Sequence, residues 1–176
     1  AAGVKRLEVT SFVNSSRVPQ MYDSCELVER LPHGAARYIG LVLNRRGYTR
    51  AVESGIDEIN FVVVASDSFS IRNQGTKTAD TLALWSEIAQ NAKDEVDVGL
   101  TIGAAFGCPF EGDVPLRRLL EIIERVMENP PIELSIADTI GVATPADISR
   151  VVSAIKAEYP DLRLRLHLHN TRNTGI

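Results

Sequence analysis

Two hydrophobic periodicities take turns along the chain. Short apolar runs, several with a period of two, predict strands at Arg6–Thr10, Tyr38–Leu43, Glu58–Val64, Val96–Ile102, Ile132–Ala137 and Leu162–Leu168. Longer stretches with apolar residues three and four apart predict helices between them, over Gln20–Arg30, Arg45–Glu53, Thr78–Asp94, Pro115–Glu128 and Thr144–Glu158. Thr78–Asp94 carries Leu82, Trp85, Ile88 and Ala89 on one face, and Pro115–Glu128 carries Leu119, Ile122, Ile123 and Val126. Punctuation agrees with periodicity: Ser54-Gly55 stops the second helix, Pro115 opens the fourth, and Thr144-Pro145 supplies an N-cap and a first-turn proline to the fifth.

Six strands joined by five helical crossovers predict a parallel α/β sheet. Phe61-Val-Val-Val64 is apolar on both faces, as a strand covered on both sides must be. Two architectures fit, an open doubly wound sheet and part of a (β/α)8 TIM barrel. Polar or reactive groups lie at or beyond every strand end: Glu8 and Ser11, Asn44, Ser66-Asp67-Ser68, Cys108 to Gly112, Asp138-Thr139, and His169-Asn170-Thr171. A barrel gathers all such ends on one rim, whereas an open sheet concentrates function at a single switch point. The even spread favours the barrel, and no glycine-rich dinucleotide fingerprint follows any strand. With about 30 residues per βα unit, six strands make roughly three-quarters of a complete barrel. Residues 1–176 are therefore expected to form one partial TIM-barrel domain, incomplete at both ends. Ala1-Ala-Gly3 reads as the end of a helix and Thr171–Ile176 as a loop leaving a strand.

Composition narrows the function classes. The chain has 176 residues, 44% hydrophobic and 24% charged, with a net charge of −4. That is ordinary for a globular domain with a sizeable core. No basic stripe with interleaved aromatics points to nucleic acid, and no apolar run is long enough to span a bilayer. The first residues have no signal-peptide layout. Cys25 and Cys108 form neither a disulfide framework nor a cysteine-based zinc site, so a reducing compartment is expected.

The sharpest candidate chemistry lies at the end of the last strand. In Leu162-Arg-Leu-Arg-Leu-His-Leu-His169, alternation puts Arg163, Arg165, His167 and His169 on one face and the four leucines on the other. Two histidines about 6.7 Å apart along a strand can aim two imidazole nitrogens at one metal ion. They can equally be polar residues at a solvated strand end. Asp138 either caps the turn before the Thr144 helix or offers a rim carboxylate. Glu8, among Leu7, Val9 and Phe12, is a solvated strand residue or a lumen carboxylate paired with an arginine or near the metal. Cys108 is held between Gly107 and Pro109; with no basic neighbour to activate it, it reads as a small buried residue rather than a nucleophile. Arg17, Gln20, Arg45 and Arg46 can meet phosphate or carboxylate groups, although Arg46 reads more simply as a surface arginine.

Four blocks in order carry a family resemblance. Glu8-Val-Thr-Ser-Phe-Val13 with Val18-Pro-Gln-Met21, Gly107-Cys-Pro-Phe-Glu-Gly112, Asp138-Thr-Ile-Gly-Val142 and His167-Leu-His169 together resemble the 3-hydroxy-3-methylglutaryl-CoA lyase family. The resemblance implies a metal-dependent barrel that cleaves a 3-hydroxy-3-alkylglutaryl-CoA to acetyl-CoA and a keto acid, acetoacetate in the parent reaction. It implies His167 and His169 as ligands of a divalent metal, Mg2+ or Mn2+ with Zn2+ as a third candidate. It implies Glu8, Asp138 and His167 as catalytic residues, and Ser11, Ser135 and Cys108 beside an acyl-CoA substrate. A homodimer is implied, in a bacterial cytoplasm or, for a eukaryotic protein, the mitochondrial matrix. The family's first strand, with an Arg-Asp pair, and its last strand, with a Gly- and Cys-containing loop and an Asn ligand, have no counterpart in the 176 residues. A polypeptide of these residues alone is therefore expected to be inactive, with exposed sheet edges. One departure stands inside the chain: where the family has Asp-Thr-Tyr-Gly after the second histidine, this sequence has Asn170-Thr-Arg-Asn173. That puts the acyl group in question. Two other readings remain, a related barrel running Claisen condensation of the isopropylmalate or homocitrate synthase type, and a non-catalytic α/β binding module.

Overall fold

The structure is a computed structural model and describes residues 3–32, 34, 36–92 and 95–173. The strands are β1 (Arg6–Ser11), β2 (Arg37–Val42), β3 (Glu58–Val64), β4 (Asp97–Gly103), β5 (Leu134–Asp138) and β6 (Leu164–Leu168). A single 3-10 turn, Pro19–Met21, precedes α1 (Ser24–Arg30); then follow α2 (Arg45–Glu53), α3 (Asp67–Gln74), α4 (Thr78–Asn91), α5 (Leu116–Met127) and α6 (Pro145–Glu158).

The strands lie in the order β1-β2-β3-β4-β5-β6 and each neighbouring pair is parallel. A doubly wound sheet reverses its strand order at a switch point, so this monotonic order excludes it and leaves the barrel. The sheet is also strongly curved. Arg6 on β1 donates to Glu133, just before β5, at 2.9 Å and 3.0 Å. In a flat sheet those strands would stand about 19 Å apart, four strand spacings, beyond the reach of two side chains. They meet because the sheet wraps around a lumen.

Packing follows from the faces. Ile59, Phe61, Val63, Leu100, Ile102, Leu134 and Ile136 point outward and are buried with Trp85, Leu119, Ile122, Ile123 and Ile155 of the helices. Trp85 is fully buried and its indole N–H donates to the carbonyl of Val126 at 3.2 Å, which ties α4 to α5. Every residue of β3 is buried. Its other face, Glu58, Asn60, Val62 and Val64, lines the lumen. The base of the lumen, at the strand N-termini, is an ion-pair cluster. Arg6 bridges Glu58 (2.5 Å) and Glu133 (2.9 Å), Arg165 reaches Glu133 at 3.4 Å, and Arg37 pairs with Asp97.

Three features depart from the sequence expectations. The stretch Gln20–Arg30 is broken at Tyr22-Asp23 into the 3-10 turn and α1. An extra helix, α3, follows β3 directly and ends on Gly75 with φ +80°. Of its residues only Ser70 is buried, so it has no apolar stripe for periodicity to detect. The helix expected over Thr78–Asp94 is α4, which ends at Asn91; the expected end at Asp94 lies outside the described residues, as do Ala1, Ala2 and residues 174–176.

Candidate active site

The strand C-termini form a rim on which most of the candidate residues gather, and local backbone geometry decides which way each points. Glu8 pairs with Ile39 and Ser11 with Leu41, while the register slips between Glu8 and Thr10. Ile39 and Leu41 are two residues apart and share a face. Glu8 and Ser11, three apart, therefore share it too, because a β-bulge absorbs the odd residue. Without the bulge Ser11 would face the helices. Glu8 is exposed and accepts from Asn60 Nδ2 at 3.1 Å; Asn60 Oδ1 in turn accepts from the Thr101 hydroxyl at 3.0 Å. A relay thus crosses β1, β3 and β4. The partner of Glu8 is an amide rather than the arginine considered from sequence; the nearby arginine, Arg6, is spent on the base cluster.

His167 ends β6 next to Ala137 of β5, and His169 lies just past it. Both rings are exposed, and their Nε2 atoms stand 3.0 Å apart with the ring planes at 50°. Two ring nitrogens that close share one proton or one electrophile, since two N–H groups or two bare lone pairs would repel. Among the described residues no group of three or more His, Cys, Asp or Glu is placed to hold a metal ion. These residues therefore bring two nitrogen donors together and no further side chain of those types.

Asp138 is buried at the end of β5, and both of its oxygens are engaged. They accept the backbone N–H of Val142 at 3.0 Å and of Ala143 at 2.9 Å. The carboxylate folds the 138–143 loop around itself. That loop meets its neighbours on both sides. Thr139 Oγ1 accepts the N–H of Ala104 at 2.8 Å, and Gly141, at φ +67°, lies so close to Thr171 that a Cβ would collide with the threonine side chain. The rim loops after β4, β5 and β6 are therefore one packed unit. Asn170 and Arg172 belong to it, and Arg172 reaches a pocket of about 490 Å3 between these loops and the starts of α5 and α6.

Cys108 sits in the β4 loop, closed by reciprocal backbone bonds with Gly112 at 2.7 Å and 2.9 Å. It is buried, and its sulfur accepts the Ser66 hydroxyl at 2.9 Å and the N–H of Phe110 at 3.4 Å. A buried, tied thiol matches the sequence reading of Cys108 as a packed residue. Ser135 faces the lumen in register with Thr101 and Arg165. It is 1% exposed, and its hydroxyl has no hydrogen-bond partner among the described residues. Such a group costs stability unless something else meets it.

Sequence reasoning did not single out Asn60 or Thr101, nor the base carboxylates Glu58 and Glu133. The signal was present. Glu58 and Asn60 alternate with Ile59 and Phe61, and polar residues with a period of two in an otherwise buried strand mark a lumen face.

Monotonic parallel order, curvature and a rim carrying paired histidines define a partial (β/α)8 barrel with an enzyme-like C-terminal face. A model of the HMGL-like family matches residues 1–176, and the chain belongs to that family. It is 40% identical to the (R)-citramalyl-CoA lyase of Chloroflexus aurantiacus, over 99% of this chain and 59% of that protein. It is 32% identical to the hydroxymethylglutaryl-CoA lyase of Bacillus subtilis, with the same two coverages of 99% and 59%. A solved HMG-CoA lyase from Acinetobacter baumannii, in complex with coenzyme A and 3-methylmalate, superposes with a TM-score of 0.91 at 32% identity, covering 97% of this chain and 56% of that one. The chain thus spans somewhat over half the length of the relatives it matches.

Proposed function

We propose that the full protein is a divalent-metal-dependent carbon–carbon lyase that cleaves a 3-hydroxyacyl-CoA of the hydroxymethylglutaryl or citramalyl type into acetyl-CoA and a keto acid. The observation that carries this is the His167–His169 pair, two exposed Nε2 atoms 3.0 Å apart on a barrel rim of this family. His167 and His169 would hold the ion through their Nε2 nitrogens, and nitrogen ligands of this kind suit Mn2+ and Zn2+, and Mg2+ when oxygen ligands complete the set. When bound, such an ion supplies Lewis acidity that lowers the pKa of the substrate alcohol.

The chain's own groups divide the remaining work. In this reading the Nε2 of His167 is committed as a ligand, and both oxygens of Asp138 are committed to the 138–143 loop. Asp138 then acts as a positioning residue that sets the rim loop against Thr171. Glu8 is the exposed lumen-side carboxylate, fixed through one oxygen by Asn60, and its other oxygen is free among the described residues to exchange a proton. The hydroxyls of Ser135 and Ser11 face the lumen, where an acyl carboxylate or thioester carbonyl would satisfy the unmet Ser135 donor.

Between the two substrates, the higher identity to the citramalyl-CoA lyase, 40% against 32%, favours a citramalyl-type acyl group. Arg172, three residues past His169 in sequence, adds a cation where the hydroxymethylglutaryl pattern has none, and it lines the pocket between the rim loops and the starts of α5 and α6. Comparing kcat/KM of the full-length protein on citramalyl-CoA and on 3-hydroxy-3-methylglutaryl-CoA tests this. Faster cleavage of citramalyl-CoA is expected, and a preference for the glutaryl substrate would reverse the assignment.

A further inference from the structure

Two residues before His167, on the same face of β6, stands Arg165. One pleat of the strand, about 6.7 Å, separates the two positions, so the arginine leaves the lumen wall directly beneath the histidine pair. It is half-buried, with 29% of its side chain exposed. Beside it in register on β5 is Ser135, whose buried hydroxyl has no hydrogen-bond partner among the described residues.

The arginines of the base differ in how far their donors are spent. Arg6 donates to both oxygens of Glu58, at 3.1 Å and 2.5 Å, and to both oxygens of Glu133, at 2.9 Å and 3.0 Å. Arg37 donates to Asp97 and to the carbonyl of Asp57. Arg165 donates no side-chain hydrogen bond among the described residues. Its Nε lies 3.4 Å from Oε2 of Glu133, an oxygen that already accepts from Arg6. Its two terminal nitrogens, the fork of the guanidinium, are unspent.

The charges around it are not balanced. Ion pairs link four guanidinium groups, Arg6, Arg37, Arg163 and Arg165, to three carboxylates, Glu58, Glu133 and Asp97. Glu8, the lumen carboxylate nearer the rim, is held by the Asn60 amide and by no arginine among the described residues. The lumen below the histidines therefore holds a cation that the chain's own carboxylates do not use up.

This step rests on the reading of the protein as a CoA-thioester lyase. The acyl groups of that reading, hydroxymethylglutaryl and citramalyl, both carry a free carboxylate. Brought into the lumen, that carboxylate meets Glu8 as a like charge, and a cation alongside offsets the repulsion. A guanidinium fork matches a carboxylate through two parallel N–H···O bonds, a geometry an ammonium group does not offer. An arginine side chain is long and flexible enough to rise from Glu133, which keeps its bonds from Arg6. We propose that Arg165 is a specificity-determining residue that binds the free carboxylate of the acyl group, with the Ser135 hydroxyl as a further donor. It selects acyl-CoA thioesters that carry this carboxylate over those that lack it, because the latter leave a half-buried cation unpaired.

The test is calorimetric binding of succinyl-CoA and glutaryl-CoA to the metal-loaded full-length protein, against propionyl-CoA and butyryl-CoA, for wild type, Arg165→Gln and Arg165→Lys. None of the four has the hydroxyl that cleavage needs, and within each pair only the terminal carboxylate differs. Wild type is expected to bind the carboxylate-bearing member more tightly. That preference should fall about tenfold in Arg165→Gln and about threefold in Arg165→Lys, with propionyl-CoA and butyryl-CoA bound as by wild type. No preference in wild type, a preference intact in Arg165→Gln, or an equal loss for all four ligands, as a mere brace of the base would give, overturns the proposal. If Arg165→Gln does not fold, Arg165→Lys decides, since it keeps a cation beside Glu133; an intact preference there overturns the proposal too. The lyase reading fails separately. An Arg165-dependent preference in a protein that cleaves neither citramalyl-CoA nor 3-hydroxy-3-methylglutaryl-CoA keeps the carboxylate site and removes the lyase. Cleavage by wild type with the preference untouched in the variants does the reverse.

Discussion

Ser135 separates structural from functional demand at the residue scale. Its hydroxyl is buried on the lumen face and pays for desolvation without a hydrogen bond. Ser135→Ala removes no bond and leaves no void larger than the oxygen, so stability should stay level or rise by up to about 1 kcal/mol. If the hydroxyl meets the substrate instead, KM for the thioester should rise about tenfold. A denaturant titration alongside steady-state kinetics checks both; a large loss of stability with normal kinetics would make Ser135 a purely structural residue. Cys108 shows the opposite balance. Its sulfur is enclosed by Ser66 and the Phe110 N–H, so its contribution is to fix the loop.

At the scale of the element, the rim works because three loops are packed into one. Gly141 is the contact point: its φ of +67° strains any side chain, and Thr171 occupies the space a Cβ would need. Gly141→Ala should cost about 2 kcal/mol and shift the β6 loop that carries His169. Chemical denaturation reads the first effect and lost activity the second; unchanged stability would show that the loops are uncoupled. The same scale shows what the sequence makes visible. β3 and α2 were legible to the residue, because a fully buried strand and a helix bounded by Asn44 and Gly55 have unambiguous patterns. α3 was not, since it buries almost nothing. The bulge that turns Ser11 inward was not either, because a one-residue slip leaves no compositional trace. Of the candidate site, the histidine pair and the end of β5 could be read directly. The Glu8–Asn60–Thr101 relay could not, because it joins strands distant in sequence.

The whole molecule divides its charge between two ends of the barrel. The rim carries the histidines and open pockets, while the base closes on Arg6, Glu58, Glu133 and Arg165. Burial pushes the Glu133 carboxyl upward, but its hydrogen bonds to Arg6 and the charges of Arg6, Arg165 and Arg163 outweigh that and hold it below the ordinary value. A carboxyl depressed in the folded state contributes stability fully above its unfolded pKa of about 4.3 and loses it as pH falls through the folded value. Acid should therefore weaken the barrel from its base. Arg6→Gln removes the hydrogen-bonded cation shared by Glu58 and Glu133, leaving them the longer ion pairs to Arg37 (3.9 Å) and Arg165 (3.4 Å), and should cost about 2 kcal/mol near neutral pH, with the loss shrinking as the solution is acidified. Thermal melts of both proteins across the acid range test this. A deficit that stayed constant down to low pH would mean that the cluster contributes little through charge.

The fold is settled by strand order and curvature; the chemistry depends on whether His167 and His169 serve a metal-assisted bond cleavage. The most direct test is to strip the full-length protein with chelator, add back Mg2+ or Mn2+, and follow acetyl-CoA and keto acid from citramalyl-CoA and 3-hydroxy-3-methylglutaryl-CoA. The account predicts release of acetyl-CoA and keto acid in equal amounts, only when metal is restored, and abolished by His169→Ala with the fold retained, since that side chain is exposed. Undiminished turnover in the stripped protein or in His169→Ala, or net consumption of acetyl-CoA with a keto acid, would contradict it.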